Sequence, residues 1–204
     1  GGGVDIYWKL EKFIRESEAR MSSVVGATGA VYAIRRELFR PIPPDTLLDD
    51  VVIPMQIAMA GYRVGFDPTA PAFDPQTTDP ARERRRKLRT LAGNFQMLFR
   101  HPAWLMPWRT GIWWQVVSHK YTRIAAPVFM LAMFLANGLL VDKAWYGLIF
   151  QGQCGFYLLA ILGALLPGIR LKLFSIPAGF VFLNLMTVGG FWNYLRGAYD
   201  QGKW

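Results

Sequence analysis

Hydrophobic and polar residues alternate with a helical period along much of the front of the chain. Residues 4–19 place apolar side chains near helical spacing with charged ones between them, which predicts an amphipathic helix. A second helix is predicted over 47–60 because the acidic pair Asp49-Asp50 suits a helix start. Residues 80–100 predict a third helix, which is strongly basic.

Short extended segments are predicted between these helices. Residues 31–34 and 62–66 are rich in β-branched and aromatic side chains, which favours strands. A short helix is expected at 35–39, and 67–80 is Pro-rich and irregular. The order of strand, loop, helix and strand is that of one half of a mixed α/β domain.

The back of the chain has a different pattern. Residues 101–117 hold four Trp, two Pro and one charge, a mix typical of a segment at the membrane interface. Three uncharged apolar runs follow at 124–141, 145–166 and about 174–195, each long enough to cross roughly 30 Å of hydrocarbon. The alternative, buried core helices of a soluble protein, is disfavoured by three such runs in succession.

Charge divides the chain at the same place. Residues 1–123 carry 18 Lys/Arg and 12 Asp/Glu, whereas residues 124–204 carry 5 and 2. We therefore expect three parts, at 1–100, 101–123 and 124–204. Cationic residues lie before the first apolar run and in the loop between the second and third runs. They predict that the front of the chain and this second loop are on the cytoplasmic side of a bacterial-type inner membrane, and that Trp204 is on the far side. These cations are Arg109, Lys120, Arg123, Arg170 and Lys172.

Few residues are candidates for chemistry. The single Cys154 excludes an internal disulfide framework, and His101 and His119 stand alone in the sequence. The remaining candidate is Asp49-Asp50, which is either a plain acidic first turn or a general base. The cations at 82–89 could bind a departing diphosphate, form a solvated face, or hold anionic lipid.

A Gly/Ala loop runs into Arg35-Arg36 and is followed by Leu48-Asp49-Asp50, the segment 61–64, a basic helix and membrane spans. This order of motifs resembles the second half of membrane-embedded family 2 glycosyltransferases, the group of cellulose, hyaluronan and poly-N-acetylglucosamine synthases. It implies the second half of a GT-A-like α/β domain, followed by an interfacial helix and three transmembrane helices.

The resemblance also implies roles for particular residues. Asp50 is the catalytic base, and Asp49 replaces the usual Glu. The family's later Gln-x-x-Arg-Trp motif is matched in frame with Arg86 for Gln and Thr90 for Trp, so both polymer synthesis and single-sugar transfer stay open. Substrate contacts are implied for the Gly/Ala loop (Gly26, Ala27, Thr28, Gly29 and, at its end, Ala30) and for Arg86, Arg89, Gly93 and Gln96.

The family's Asp-x-Asp motif, which holds the donor's divalent metal, does not occur in the sequence. We therefore expect the Mg²⁺ or Mn²⁺ ligands, and the donor-binding half, to lie outside this chain, and the chain alone to be inactive. The start at Gly1-Gly2-Gly3 without Met agrees with a missing upstream portion.

The predicted function is inverting transfer of a sugar from a nucleotide sugar to a glycan or lipid acceptor, in cell-envelope polysaccharide biosynthesis. The alternative is a non-catalytic membrane protein that binds anionic lipid or a protein partner. A transporter is disfavoured because the spans hold no ionisable residue, and nucleic acid is not expected because the positive charge lies beside the membrane. The strong polar groups in the spans are expected to hydrogen-bond between helices: Asn137, Gln151, Gln153, Asn184 and Asn193.

Overall fold

The structure, a computed structural model, describes residues 2–29, 31–70, 79–166 and 171–198, without the side chains of 2–8 and Pro80. Its helices are α1 (Gly2–Met21), α2 (Asp49–Met59), α3 (Pro80–Arg100), α4 (Trp113–Val116), α5 (Thr122–Leu139), α6 (Ala144–Leu165) and α7 (Lys172–Leu195). Two 3₁₀ turns lie at Arg36–Leu38 and Pro102–Leu105, and a π-helical turn at Val117–Tyr121 joins α4 to α5. Parts of the predictions above fell on Ala30, on 71–78 within the segment expected to be irregular, and on Arg170 and Trp204, which lie outside these residues.

The predicted α/β fold is wrong: the described residues form helices and loops without a strand, so no GT-A-like half-domain is present among them. The segments 31–34 and 62–66 are irregular. Val24 N–H donates to Val64 O at 3.0 Å, but the next donor, Val64 N–H, finds the Ser23 hydroxyl rather than a backbone carbonyl. Since a strand needs a ladder of backbone partners, favourable side chains alone do not produce one here.

The core of the front region surrounds α2. Five consecutive side chains, from Val51 to Met55, are buried, so this short helix is apolar almost all round. The core extends from α2 to the loop residue Val25, to α3 and to the residues that lead into α5. The residues that lead into α5 therefore belong to the same hydrophobic core as α2.

Helix α3 joins this core to the third long helix. Its C-terminal half packs Met97 into the α2 core, while Leu91 lies against Gly190 of α7. Ring contacts continue the second interface, with Phe95 and Phe191 centroids 5.0 Å apart and Phe99 stacked on Tyr194 at 5.5 Å. The predicted bounds 80–100 are confirmed, and the side chain of Asp79 caps the helix by accepting from Ala81 N–H at 2.9 Å.

Three helices are long and apolar enough to cross a membrane, at Trp113–Leu139, Ala144–Leu165 and Lys172–Leu195. They agree with the predicted membrane character and with the predicted number of spans, and the first begins at Trp113, inside the segment that was expected at the membrane interface. Helices α5 and α6 meet through Phe134 and Phe150, with centroids 5.0 Å apart. The expected interhelical hydrogen bond joins Asn137 to Gln153 at 3.0 Å, whereas Asn184 donates to Phe180 O within its own helix.

A candidate site around Asp50

Asp50 lies in the first turn of α2, where its backbone carbonyl holds the Gly/Ala loop. In a regular helix this carbonyl would accept from the N–H four residues later, but that residue is Pro54, which has none. Ala27 N–H donates to Asp50 O instead, at 2.8 Å. The proline inside α2 therefore leaves an acceptor that fixes the loop beside the acidic pair.

Two glycines let the loop approach closely. A Cβ on Gly26 would lie 3.1 Å from Val51 Cγ2, and a Cβ on Gly29 would lie 3.1 Å from Asp50 Oδ2. These distances are tighter than ordinary contacts, so larger residues would push the loop away from α2. Gly29 faces the carboxylate of Asp50 with no side chain of its own.

The electrostatic surroundings of Asp50 are mixed. Burial raises the pKa of this carboxyl, Lys120 from the π-helical turn opposes the rise, and Asp49 adds to it. The pKa of Tyr32 is raised by burial first and then by the charges of Asp49 and Asp50. Asp50 is thus a partly buried carboxylate with a cation from the start of the first span among its neighbours.

Helix α1 is held beside this centre by charged side chains. Arg15 donates to Glu11 at 3.1 Å and to the hydroxyl of Thr28 in the loop at 3.3 Å. His119 lies between two carboxylates, with Nδ1 2.8 Å from Glu18 and Nε2 3.6 Å from Glu11. The side-chain hydrogen bond between His119 and Glu11 is the main cause that lowers the pKa of Glu11 to about 2. These contacts connect α1, the loop and the π-helical turn.

The predicted residues Gly93 and Gln96 support the segment that leads into Asp49-Asp50. Gln96, only 3% exposed, accepts from Leu47 N–H and donates to Asp45 O, both at 2.9 Å. A Cβ on Gly93 would come within 2.6 Å of Leu48 Cγ. Both residues therefore lie behind the acidic pair, where their contacts set its position.

The two predicted arginines of α3 lie one turn or more before Gly93. Arg89 is partly buried. Arg86 is exposed and bonds Glu83 of its own helix at 3.0 Å. The exposed cations continue along the first half of α3, which agrees with a solvated or lipid-facing side as well as with a diphosphate contact.

Sequence reasoning missed the charged residues that reach Asp50 from α1 and from the π-helical turn. His119 stands alone in the sequence, and Lys120 served there only as an indicator of orientation. One signal was present: Glu11, Arg15 and Glu18 recur at spacings of four and three, which places them on one face of α1. A π-helical turn, frequent at functional sites, has no such signal in the sequence.

No family model, curated protein or solved structure matches this chain. The described residues also contain no group of three or more His, Cys, Asp or Glu side chains that could hold a metal ion. The divalent metal implied by the resemblance does not fit a set of ligands in this part of the chain, and no step below is routed through it.

Proposed function

We propose that this chain carries the general base and the membrane anchor of an inverting glycosyltransferase. Its substrates are a nucleotide sugar and a glycan or lipid acceptor. The observation that carries the proposal is the setting of Asp50, a partly buried carboxylate that faces Gly29 and has Lys120 among its charged neighbours. The family resemblance supplies the reaction class, and the setting of Asp50 supplies a group that can perform its proton transfer.

In the proposed reaction, the acceptor hydroxyl attacks the anomeric carbon while its proton passes to a carboxylate oxygen of Asp50. The bond from the anomeric carbon to the diphosphate oxygen breaks, and its electron pair leaves with the nucleoside diphosphate. Burial raises the pKa of Asp50 and so makes its carboxylate a stronger base, whereas Lys120 favours the ionised form. A general base needs both properties, because it must be ionised before it accepts a proton.

The remaining predicted residues divide by position. Gly93 and Gln96 contact the segment that precedes Asp49-Asp50. Gly26 and Gly29 allow the Gly/Ala loop to pack closely against the start of α2. In this proposal the loop lies on the acceptor side. Arg89, with Arg86 beyond it, contacts the departing diphosphate, for which a guanidinium is well suited.

The test compares Asp50→Asn with Asp142→Asn, which removes one exposed carboxylate far along the chain. Each variant is made in the intact gene product and assayed in membranes with a panel of labelled sugar nucleotides. Loss of a general base lowers turnover by about 10²–10⁴-fold. Normal turnover in Asp50→Asn, at matched protein level, rejects Asp50 as the base.

The second candidate is a non-catalytic membrane protein that binds anionic lipid through α3. Exposed Arg82, Arg84 and Arg85 favour it. Transfer from any sugar nucleotide, abolished by Asp50→Asn, rejects this candidate. Absence of transfer across the panel, together with vesicle binding that depends on these arginines, favours it over glycosyl transfer.

A further inference from the structure

A polar cleft lies away from Asp50, at the opposite end of α2. It has a volume of about 370 Å³ and is formed by the end of α1, the turn after α2 and residues 109–112. Two of its lining residues are cationic, Arg63 and Arg109, and none is acidic. Hydroxyl groups of Ser22, Ser23 and Thr110 add to its polar wall. Such a lining selects for an anion.

The two arginines differ in how they are held. Arg63 donates Nε to Ser22 O at 2.8 Å and Nη2 to Ala19 O, which fixes its guanidinium at the end of α1 and leaves Nη1 unused by these bonds. Arg109 is exposed and makes no side-chain hydrogen bond or ion pair with the described residues. One cation is therefore pre-positioned, and the other is available to a ligand.

The location of the cleft indicates where its ligand comes from. Residues 109–112 immediately precede the candidate span that begins at Trp113. Trp108 is 77% exposed and Trp114 63% exposed, so indoles open to the surroundings flank this wall. Exposed indoles of this kind lie at the level of lipid headgroups.

We propose that the cleft between Arg63 and Arg109 binds the phosphate group of an anionic lipid. The guanidinium groups bind the phosphate oxygens, and the exposed indoles lie beside the glycerol and the first acyl carbons. This site is separate from Asp50 and from the cations of α3, so it does not depend on the chain being a glycosyltransferase.

The test measures binding of dihexanoyl phosphatidic acid to the full chain in neutral detergent by calorimetry. Arg109→Gln is compared with Arg40→Gln, which removes another exposed arginine charge that lies outside both the cleft and α3. Gly111→Leu adds an apolar side chain to the lining of the cleft without changing charge, and a Cβ there meets no atom within 4 Å. We expect Arg109→Gln and Gly111→Leu each to weaken binding about tenfold and Arg40→Gln to leave it within about twofold.

Equal weakening by Arg109→Gln and Arg40→Gln overturns the proposal, because binding then follows net charge. Equal binding of dihexanoyl phosphatidylcholine overturns it as well. Inorganic phosphate, added as a competitor, separates the two sources of the anion. Displacement assigns the site to a phosphate group in any form, and failure to displace assigns it to the lipid headgroup. Unchanged melting temperatures show that the variants are folded.

Discussion

Ionised side chains join the elements around Asp50, whereas rings, glycines and one neutral amide pair join the three long helices. Near Asp50, Glu11, Arg15 and Glu18 connect α1 to the loop and to the π-helical turn. In the helical bundle, Phe156 meets Phe180 at 5.8 Å, and Gly163 allows α6 to lie directly on α7.

The two regions use different contacts because they have different surroundings, water near Asp50 and hydrocarbon around the three long helices. Where water reaches one face of a contact, charged groups keep part of their hydration and can still attract each other. Inside hydrocarbon an ion is far more costly, so close backbone approach and neutral hydrogen bonds hold helices together. Helix α3 belongs to both regions, because Gln96 hydrogen-bonds Leu47 N–H in front of α2 and Phe95 packs against Phe191 of α7.

The largest effect is expected at the joint between α3 and the segment before Asp49-Asp50. Gly93→Ala places a methyl group 2.6 Å from Leu48 Cγ and 3.0 Å from Leu47 Cβ, so the segment must shift. Overpacking of this kind costs about 1–3 kcal/mol. We expect a lower melting temperature in detergent and, because the acidic pair moves, a loss of transfer activity.

Gly152→Ala in α6 is the matched control for this joint. A Cβ at Gly152 meets no atom within 4 Å, and alanine is favoured over glycine in a helix by roughly 0.5–1 kcal/mol. The control should melt at the same or a higher temperature. A similar drop in melting temperature in both variants would mean that close packing at Gly93 does not make the front region more sensitive than the helical bundle.

The second effect concerns the cation beside the base. Lys120→Met removes a charge that lowers the pKa of Asp50, so this pKa should rise further. Since Asp50 must be ionised to accept a proton, the acidic limb of the pH–rate profile of the intact enzyme should move to higher pH. Lys120→Arg keeps the charge and should keep the wild-type limb. An unmoved limb in Lys120→Met rules out this coupling.

A smaller effect is expected from the carboxylate that holds α1. The pKa of Glu11 is lowered from 4.5 to about 2, mainly by His119, so its folded-state contacts favour the charged form. The stabilisation is full above about pH 4.5 and is lost as the pH falls through about 2. Glu11→Gln should therefore melt below the wild type at neutral pH, and the difference should shrink over that window. A difference independent of pH contradicts the assignment.

The spans and α3 were predictable because their signals are local. The proline at the start of α3, the preceding Asp79 and a repeating apolar face fix that helix within its own sequence. The expected strands needed partners from elsewhere. Among the described residues, segment 62–66 accepts one backbone bond from Val24 and donates one to Ile57 of the preceding helix, which does not make a ladder. Local propensity therefore predicted helices correctly and the α/β class wrongly.

The candidate site was only half predictable for the same reason. The acidic pair and the Gly/Ala loop were both candidates from the sequence, and Ala27 N–H of the loop donates to Asp50 O. His119 meets Glu18 across 101 positions of sequence, and nothing near either residue in the chain specifies the other. Long-range charge pairing becomes visible only when α1 and the π-helical turn are placed together.

The smallest effect is expected at the amide pair of the bundle, Asn137 and Gln153, whose side chains lie 3.0 Å apart. Hydrogen bonds between membrane helices average only about 0.6 kcal/mol, because each amide finds other partners when the pair separates. Asn137→Leu should lower the melting temperature slightly. Adding Gln153→Leu should restore part of the loss, since neither amide is then left unpaired in an apolar setting. Losses that simply add in the double variant would show that the bond contributes nothing, and that rings and glycines alone hold α5 against α6.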